Sequence, residues 1–251
     1  MGPVARRPPP DGAYASGTTG NERPNVDEPF QSGGVRGVLH RPERPRGDAI
    51  ALTHGAGANR DAPLLVKLAR DFAESGYLVL RYDLPFRQQR PKGPPYPAVA
   101  ARDREGVREA VAALRPMAPG RVIAGGHSYG GRQTAMTGAE DPRLADALLL
   151  LSYPLYPPGR PEKKRTAYFG DWRIPALFVH GTNDPFGSPE ELREAAAAIP
   201  GRTDVLVVEG AAHDLKRAAG LAGEILTRLE ALLPAAGTKA EGREFPSEPG
   251  V

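Results

Sequence analysis

Cysteine is absent from the 251 residues, which removes disulfides, thiolate metal sites and a cysteine nucleophile together. No stretch approaches the roughly 20 apolar residues that a bilayer-spanning helix needs. The most apolar run, 147–151 with its flanks, has the length of a buried strand, so no membrane partner is expected. Residues 1–30 lack the continuous apolar core of a secretory signal and offer Arg6, Arg7, a proline run and scattered Gly, Ser and Thr, so a cytoplasmic location is expected. An excess of one charge is missing too. The 33 basic and 30 acidic residues are mostly interspersed and leave a net charge of +3, a pattern that argues against a nucleic-acid partner. His127, His180 and His213 fall in separate loops and form no cluster with metal-ligand spacing, and no Gly-x-Gly-x-x-Gly follows the first strand. Neither a metal nor an organic cofactor is expected.

What is present centres on Val122-Ile123-Ala124-Gly125-Gly126-His127-Ser128-Tyr129-Gly130-Gly131. An apolar run drives into Gly126-x-Ser128-x-Gly130, and a helix-forming composition resumes beyond Gly131. That is the pattern of a nucleophile elbow. A serine on a sharp strand-to-helix turn needs a strained backbone, with small residues two before and two after it to avoid the neighbouring strand and helix. Such a turn exposes the hydroxyl at the carboxyl edge of a sheet. It also leaves the Tyr129 N–H at a helix start, where it can stabilise an oxyanion.

Around this motif the chain divides by composition. Residues 1–30 and 236–251 are rich in Pro, Gly and charge and poor in large apolar side chains, which predicts two disordered tails flanking one domain over 31–235. Within the domain, apolar runs alternate with alanine-rich charged stretches of helical period. Strands are predicted at 34–40, 48–53, 77–82, 121–126, 147–152, 176–180 and 204–208, with helices between them. Leu64, Leu65, Leu68, Ala69 and Phe72 share one helix face, and Val107, Ala110, Val111 and Leu114 share another. The fold class is α/β, a mostly parallel central sheet with helices on both faces. The interval after 147–152 is too short for a large lid domain.

The strand ends lead into loops on the carboxyl side of the sheet, where open α/β sheets bind ligands. His54-Gly55-Ala56-Gly57 follows one of them, and the Ala56 N–H is the candidate second oxyanion donor, with His54 bracing the loop. The run 174–185 is a strand ending near Asp184, the candidate acid; Asp214 and Asp171 stand next in line. After 204–208 comes Gly210-Ala211-Ala212-His213, and His213 is the candidate base. The order Ser128, Asp184, His213, each after a successive strand, suits a hydroxyl nucleophile activated by an oriented imidazole. Arg87, Arg90 and Lys92 in one loop and Arg160, Lys163, Lys164 and Arg165 in another are expected to give the mouth of the site a positive rim that draws anionic substrates.

The motifs Leu52-Thr53-His54-Gly55-Ala56-Gly57, Gly126-His127-Ser128-Tyr129-Gly130-Gly131-Arg132, His180-Gly181-Thr182-Asn183-Asp184-Pro185 and Gly210-Ala211-Ala212-His213 resemble the α/β-hydrolase superfamily near its dienelactone-hydrolase-like members, over about residues 33–234. The segments beginning Ser152-Tyr153-Pro154 and Asp184-Pro185-Phe186-Gly187 are similar to small bacterial hydrolases related to a subunit of the NSL chromatin complex. The resemblance implies a serine hydrolase with Ser128, Asp184 and His213 as its triad and supplies no substrate. A small ester or thioester is the expected substrate class. The same triad would serve perhydrolysis or acyl transfer, and a catalytically weak scaffold protein with docking tails is the other class weighed. His127 departs from the residue expected before the nucleophile and is expected to bear on the pocket, not on the triad.

Overall fold

A computed structural model of the chain describes residues 26–216 and 220–233. Eight strands form one sheet: β1 (Val26–Ser32), β2 (Val35–Arg41), β3 (Ala49–Thr53), β4 (Leu78–Tyr82), β5 (Val122–His127), β6 (Ala147–Leu151), β7 (Ala176–Gly181) and β8 (Thr203–Val208). Their order across the sheet is β1-β2-β4-β3-β5-β6-β7-β8. From β4 onward the pairs are parallel, while β1 and β2 are antiparallel additions at one edge. The seven expected strands lie within a residue or two of their observed limits.

β1 is the exception. Residues 26–30, assigned to a tail by composition, begin a strand that pairs with β2 from Val26 opposite Arg41 to Ser32 opposite Val35. Two acids and Pro29 disguise it, yet proline is tolerated at a sheet edge, where its missing N–H leaves no ladder bond unmade. The rest of the N-terminal tail and residues 234–251 lie outside the described residues.

The central strands read as nearly unbroken apolar runs because helices cover both faces of the sheet. All five residues of β3 and all five of β6 are buried. One face carries α1 (Pro63–Glu74) and α6 (Leu221–Leu232), whose Leu65, Leu68, Phe72, Ile225 and Leu229 pack on Ile50, Leu52, Ile123 and Leu149. The other carries α3 (Ala100–Leu114), α4 (Tyr129–Glu140) and α5 (Pro189–Ala196). Each fully buried Leu contributes roughly 1.5–3 kcal/mol relative to exposure. A short α2 (Pro85–Gln89) follows β4. Residues 152–175, between β6 and β7, hold one 3-10 turn, Phe169–Asp171, and no inserted domain. Among the described residues no helix is long and apolar enough to cross a membrane.

The chain crosses from β4 back past β3 to β5, so loops leave β3 and β5 in opposite directions at their carboxyl ends. That crevice is where this architecture places a ligand.

Candidate active site

β5 delivers Ser128 to the crevice on a turn with φ 52° and ψ −114°. A non-glycine residue held there stores roughly 1–3 kcal/mol that the surroundings must offset. The surroundings are tight: a Cβ on Gly126 would stand 2.7 Å from both the Gly130 carbonyl carbon and the Gly131 nitrogen, and one on Gly130 would stand 2.5 Å from the His54 oxygen. Only hydrogen fits at either place. The Ser128 N–H donates to the Leu151 carbonyl at 2.8 Å, which ties the turn to β6. Tyr129 is the first residue of α4, so its N–H has no carbonyl a turn earlier to meet.

His213 follows β8 and reaches both partners. Its Nε2 lies 2.8 Å from Ser128 Oγ, and its Nδ1 lies 2.8 Å from Asp184 Oδ2. The Asp184 side chain is fully buried just beyond β7, and its second oxygen accepts from the Phe186 N–H at 2.9 Å. The loops holding acid and base are zipped together: the Asn183 N–H donates to the Ala211 carbonyl at 2.9 Å and the Thr182 N–H to the Val208 carbonyl at 3.2 Å. Asp214 turns away to Lys216 at 2.7 Å, and Asp171 is exposed in the 3-10 turn. Of the three carboxylates weighed, Asp184 is the one brought to His213.

The loop after β3 lies against the serine. A Cβ on Gly55 would come within 3.4 Å of Ser128 Cβ and 3.1 Å of His127 Nδ1. His54 is completely buried, and its Nε2 accepts from the Leu84 N–H at 3.2 Å. The proton therefore sits on Nδ1, which donates to the Gly55 carbonyl at 2.9 Å. Burial, the largest influence, holds the His54 pKa below its ordinary value, in keeping with a neutral ring. The Gly55 carbonyl and the Ala56 N–H are opposite ends of one trans peptide. Fixing the first turns the second the other way.

Arg87 corrects the expectation of a basic rim. It is 5% exposed, and its guanidinium donates to the carbonyls of Ala56 at 2.7 Å, Arg90 at 2.9 Å and Gly93 at 3.1 Å. It ties the loop after β3 to the loop after β4 and is not free to attract substrate. Arg90 lies over the Tyr96 ring at 4.6 Å. Lys92, Arg160, Lys163 and Lys164 are exposed, as expected of a rim, while Arg165 is half-buried and its pKa is lowered, first by burial and then by Arg132.

His127 also departs from expectation. Its Nε2 lies 2.8 Å from the His213 carbonyl, which can only accept, so the nitrogen carries hydrogen and donates. Burial drives its pKa down to about 4, leaving a neutral ring 5.0 Å from that of His213. The residue lines a cavity, as expected, and it also holds the backbone of His213, which was not expected. The available signal was its place beside the serine. Asp103 escaped the sequence reading altogether: fully buried in α3, it accepts from Tyr129 Oη at 2.7 Å and from the Phe86 N–H at 3.0 Å, anchoring the first turn of α4. Burial raises its pKa.

A buried carboxylate, an imidazole and a hydroxyl in hydrogen-bonded series can deprotonate the hydroxyl. Comparison with known proteins agrees with this fold. The family described as alpha/beta hydrolase domain matches residues 46–229. TT1662 from Thermus thermophilus superposes with a TM-score of 0.67 at 23% identity, covering 85% of this chain and 100% of its own. XC6422 from Xanthomonas campestris, described as an a/b serine hydrolase without lid, gives 0.66 at 16% identity, covering 84% and 96%. A dienelactone hydrolase from Anabaena variabilis gives 0.63 at 16% identity, covering 84% and 97%. At these identities the likeness is one of fold. The narrower resemblance to hydrolases related to an NSL-complex subunit finds no support in these matches.

Proposed function

The chain belongs to the alpha/beta hydrolase domain family, and from that premise we propose that it is a serine hydrolase of small esters or thioesters, working through Ser128, His213 and Asp184. One observation carries the reading: the 2.8 Å contacts that chain Asp184 to His213 and His213 to Ser128, on a serine held at φ 52°. In the first step Ser128 Oγ attacks the substrate carbonyl carbon while its proton passes to His213 Nε2. The carbonyl oxygen becomes an oxyanion between the N–H groups of Tyr129 and Ala56. Collapse breaks the bond to the leaving alcohol or thiol, which takes the proton from His213, and an acyl-Ser128 intermediate remains. Water then repeats the sequence, with His213 as base, and releases the acid. Asp184 stays ionised throughout and holds the imidazole in the tautomer with hydrogen on Nδ1. Transfer of the acyl group to peroxide or another acceptor would use the same groups.

The test is fluorophosphonate labelling joined to hydrolysis of p-nitrophenyl acetate. Label is expected on Ser128. Ser128→Ala and His213→Ala should each lower kcat by roughly four to six orders of magnitude, with the double variant little worse than either. Asp184→Asn should cost less than either, though still orders of magnitude. Folded protein that takes no label, or losses that add in the double variant, would overturn the reading in favour of a binding protein on a hydrolase fold.

A further inference from the structure

A cavity of about 440 Å³ on the sheet face covered by α1 and α6 is lined by His127 and Asp214, the chain neighbours of Ser128 and His213. Ala58 of the oxyanion loop, Ala62, Leu65 and Leu68 at the start of α1, and Leu215 and Leu221 beyond the base form its walls. His127 completes the side next to Ser128, and the Nε2 of that ring is already committed to the His213 carbonyl at 2.8 Å. The lining residue that precedes Ser128 in the chain is thus an imidazole that burial keeps neutral.

Charge in the lining cancels. Lys67 meets Asp71 at 2.6 Å and Lys216 meets Asp214 at 2.7 Å, so each charged group of the lining has its counter-ion beside it and a charged ligand would gain little there. Among the described residues that line the cavity none is Phe, Tyr or Trp, and the lining is mostly aliphatic. Aliphatic side chains at a volume within the range of small-molecule sites suit a flexible hydrocarbon chain.

We infer that this cavity receives the uncharged straight chain of the ester, making the preferred substrate an aliphatic ester or thioester longer than acetyl. The inference rests on the serine-hydrolase reading above and names the substrate class for that site. The chain could belong to the acyl group or to the alcohol, and two substrate series distinguish them.

In one series p-nitrophenyl esters run from acetate to octanoate; in the other, acetates run from methyl to hexyl. One series should show kcat/KM rising roughly fourfold per methylene until the cavity is full, while the other stays level. Ala62→Trp fills the cavity from a half-buried position and should flatten the rising series, bringing kcat/KM for the longest ester down toward that for acetate. If that variant fails to fold, Leu64→Gln, also half-buried in the lining, should blunt the rise. Level profiles in both series from an enzyme that hydrolyses acetate through Ser128 would overturn the inference and leave the hydrolase reading standing. If no ester is hydrolysed and Ser128 takes no label, the hydrolase reading fails, and calorimetric titration of 1-octanol into Ser128→Ala protein decides the cavity by itself. Binding that Ala62→Trp abolishes supports a hydrocarbon site; absence of binding overturns it.

Discussion

The residue that most changes the chemistry expected of this chain is His127. Its hydrogen bond to the His213 carbonyl holds the backbone of the proposed base. His127→Leu leaves that carbonyl without its partner, a loss of roughly 1–3 kcal/mol for a buried group, and should lower kcat on p-nitrophenyl acetate by about 5- to 150-fold while KM changes little. His127→Gln keeps an N–H donor and should recover part of the loss. Equal kcat in the two variants, measured by steady-state kinetics, would show that the bond does not position the base. His54 and Arg87 work in a similar manner on the loop after β3, one holding the Gly55 carbonyl and the other the Ala56 carbonyl, so consecutive peptides are fixed. The short sequence His54-Gly55 suggested such a brace, but nothing around Arg87 suggested that its charge would be spent on carbonyls.

At the scale of elements, catalysis depends on how closely β5 and α4 approach. The expected outcome of Gly126→Ala follows from backbone against backbone, since neither the Gly130 carbonyl carbon nor the Gly131 nitrogen at 2.7 Å can swing aside. Strand and helix must part, at about 1–3 kcal/mol in a urea unfolding curve, and Ser128 should lose its fluorophosphonate label. Gly170→Ala makes the control: a Cβ there meets nothing within 4 Å, and stability should move by no more than about 0.5 kcal/mol. A Gly126→Ala protein that folds and labels like the parent would remove the close-packing account of the elbow. The elements also show what periodicity reads well and badly. Unbroken apolar strands such as Leu148-Leu149-Leu150-Leu151 announce themselves because both faces are covered. β1, with Asp27, Glu28 and Pro29, is held by an antiparallel partner and the contact of Asp27 with His40 at 2.6 Å, which no local pattern displays.

For the whole molecule, buried histidines set the response to acid. His40, His54 and His127 all have pKa values lowered chiefly by burial, His127 to about 4. The unfolded chain therefore takes up protons first as pH falls. The contribution of these groups is complete above about pH 6.5 and is lost as pH drops through their lowered folded values, a window that for His127 runs down to about 4. Asp103, raised by burial, acts in the opposite sense. The urea midpoint should fall between pH 7 and pH 5, before most carboxylates titrate, and His127→Gln should make that fall shallower while His40 and His54 preserve the remainder. A midpoint constant across this interval would contradict the argument.

The sequence by itself determined the α/β architecture, the central strands, the elbow at Ser128 and the candidates for acid and base. Each of these is a local demand: an apolar run of strand length, a small residue where a Cβ would collide, a polar residue just past a strand end. Tertiary structure alone decided which aspartate faces His213, which arginine is buried, what His127 holds and where an aliphatic cavity opens. Those outcomes rest on contacts between residues far apart in the chain, 85 positions for Ser128 to His213 and 86 for His127 to the same loop. Composition records that a guanidinium or an imidazole exists, but packing sets which carbonyls and carboxylates come within hydrogen-bonding distance of it.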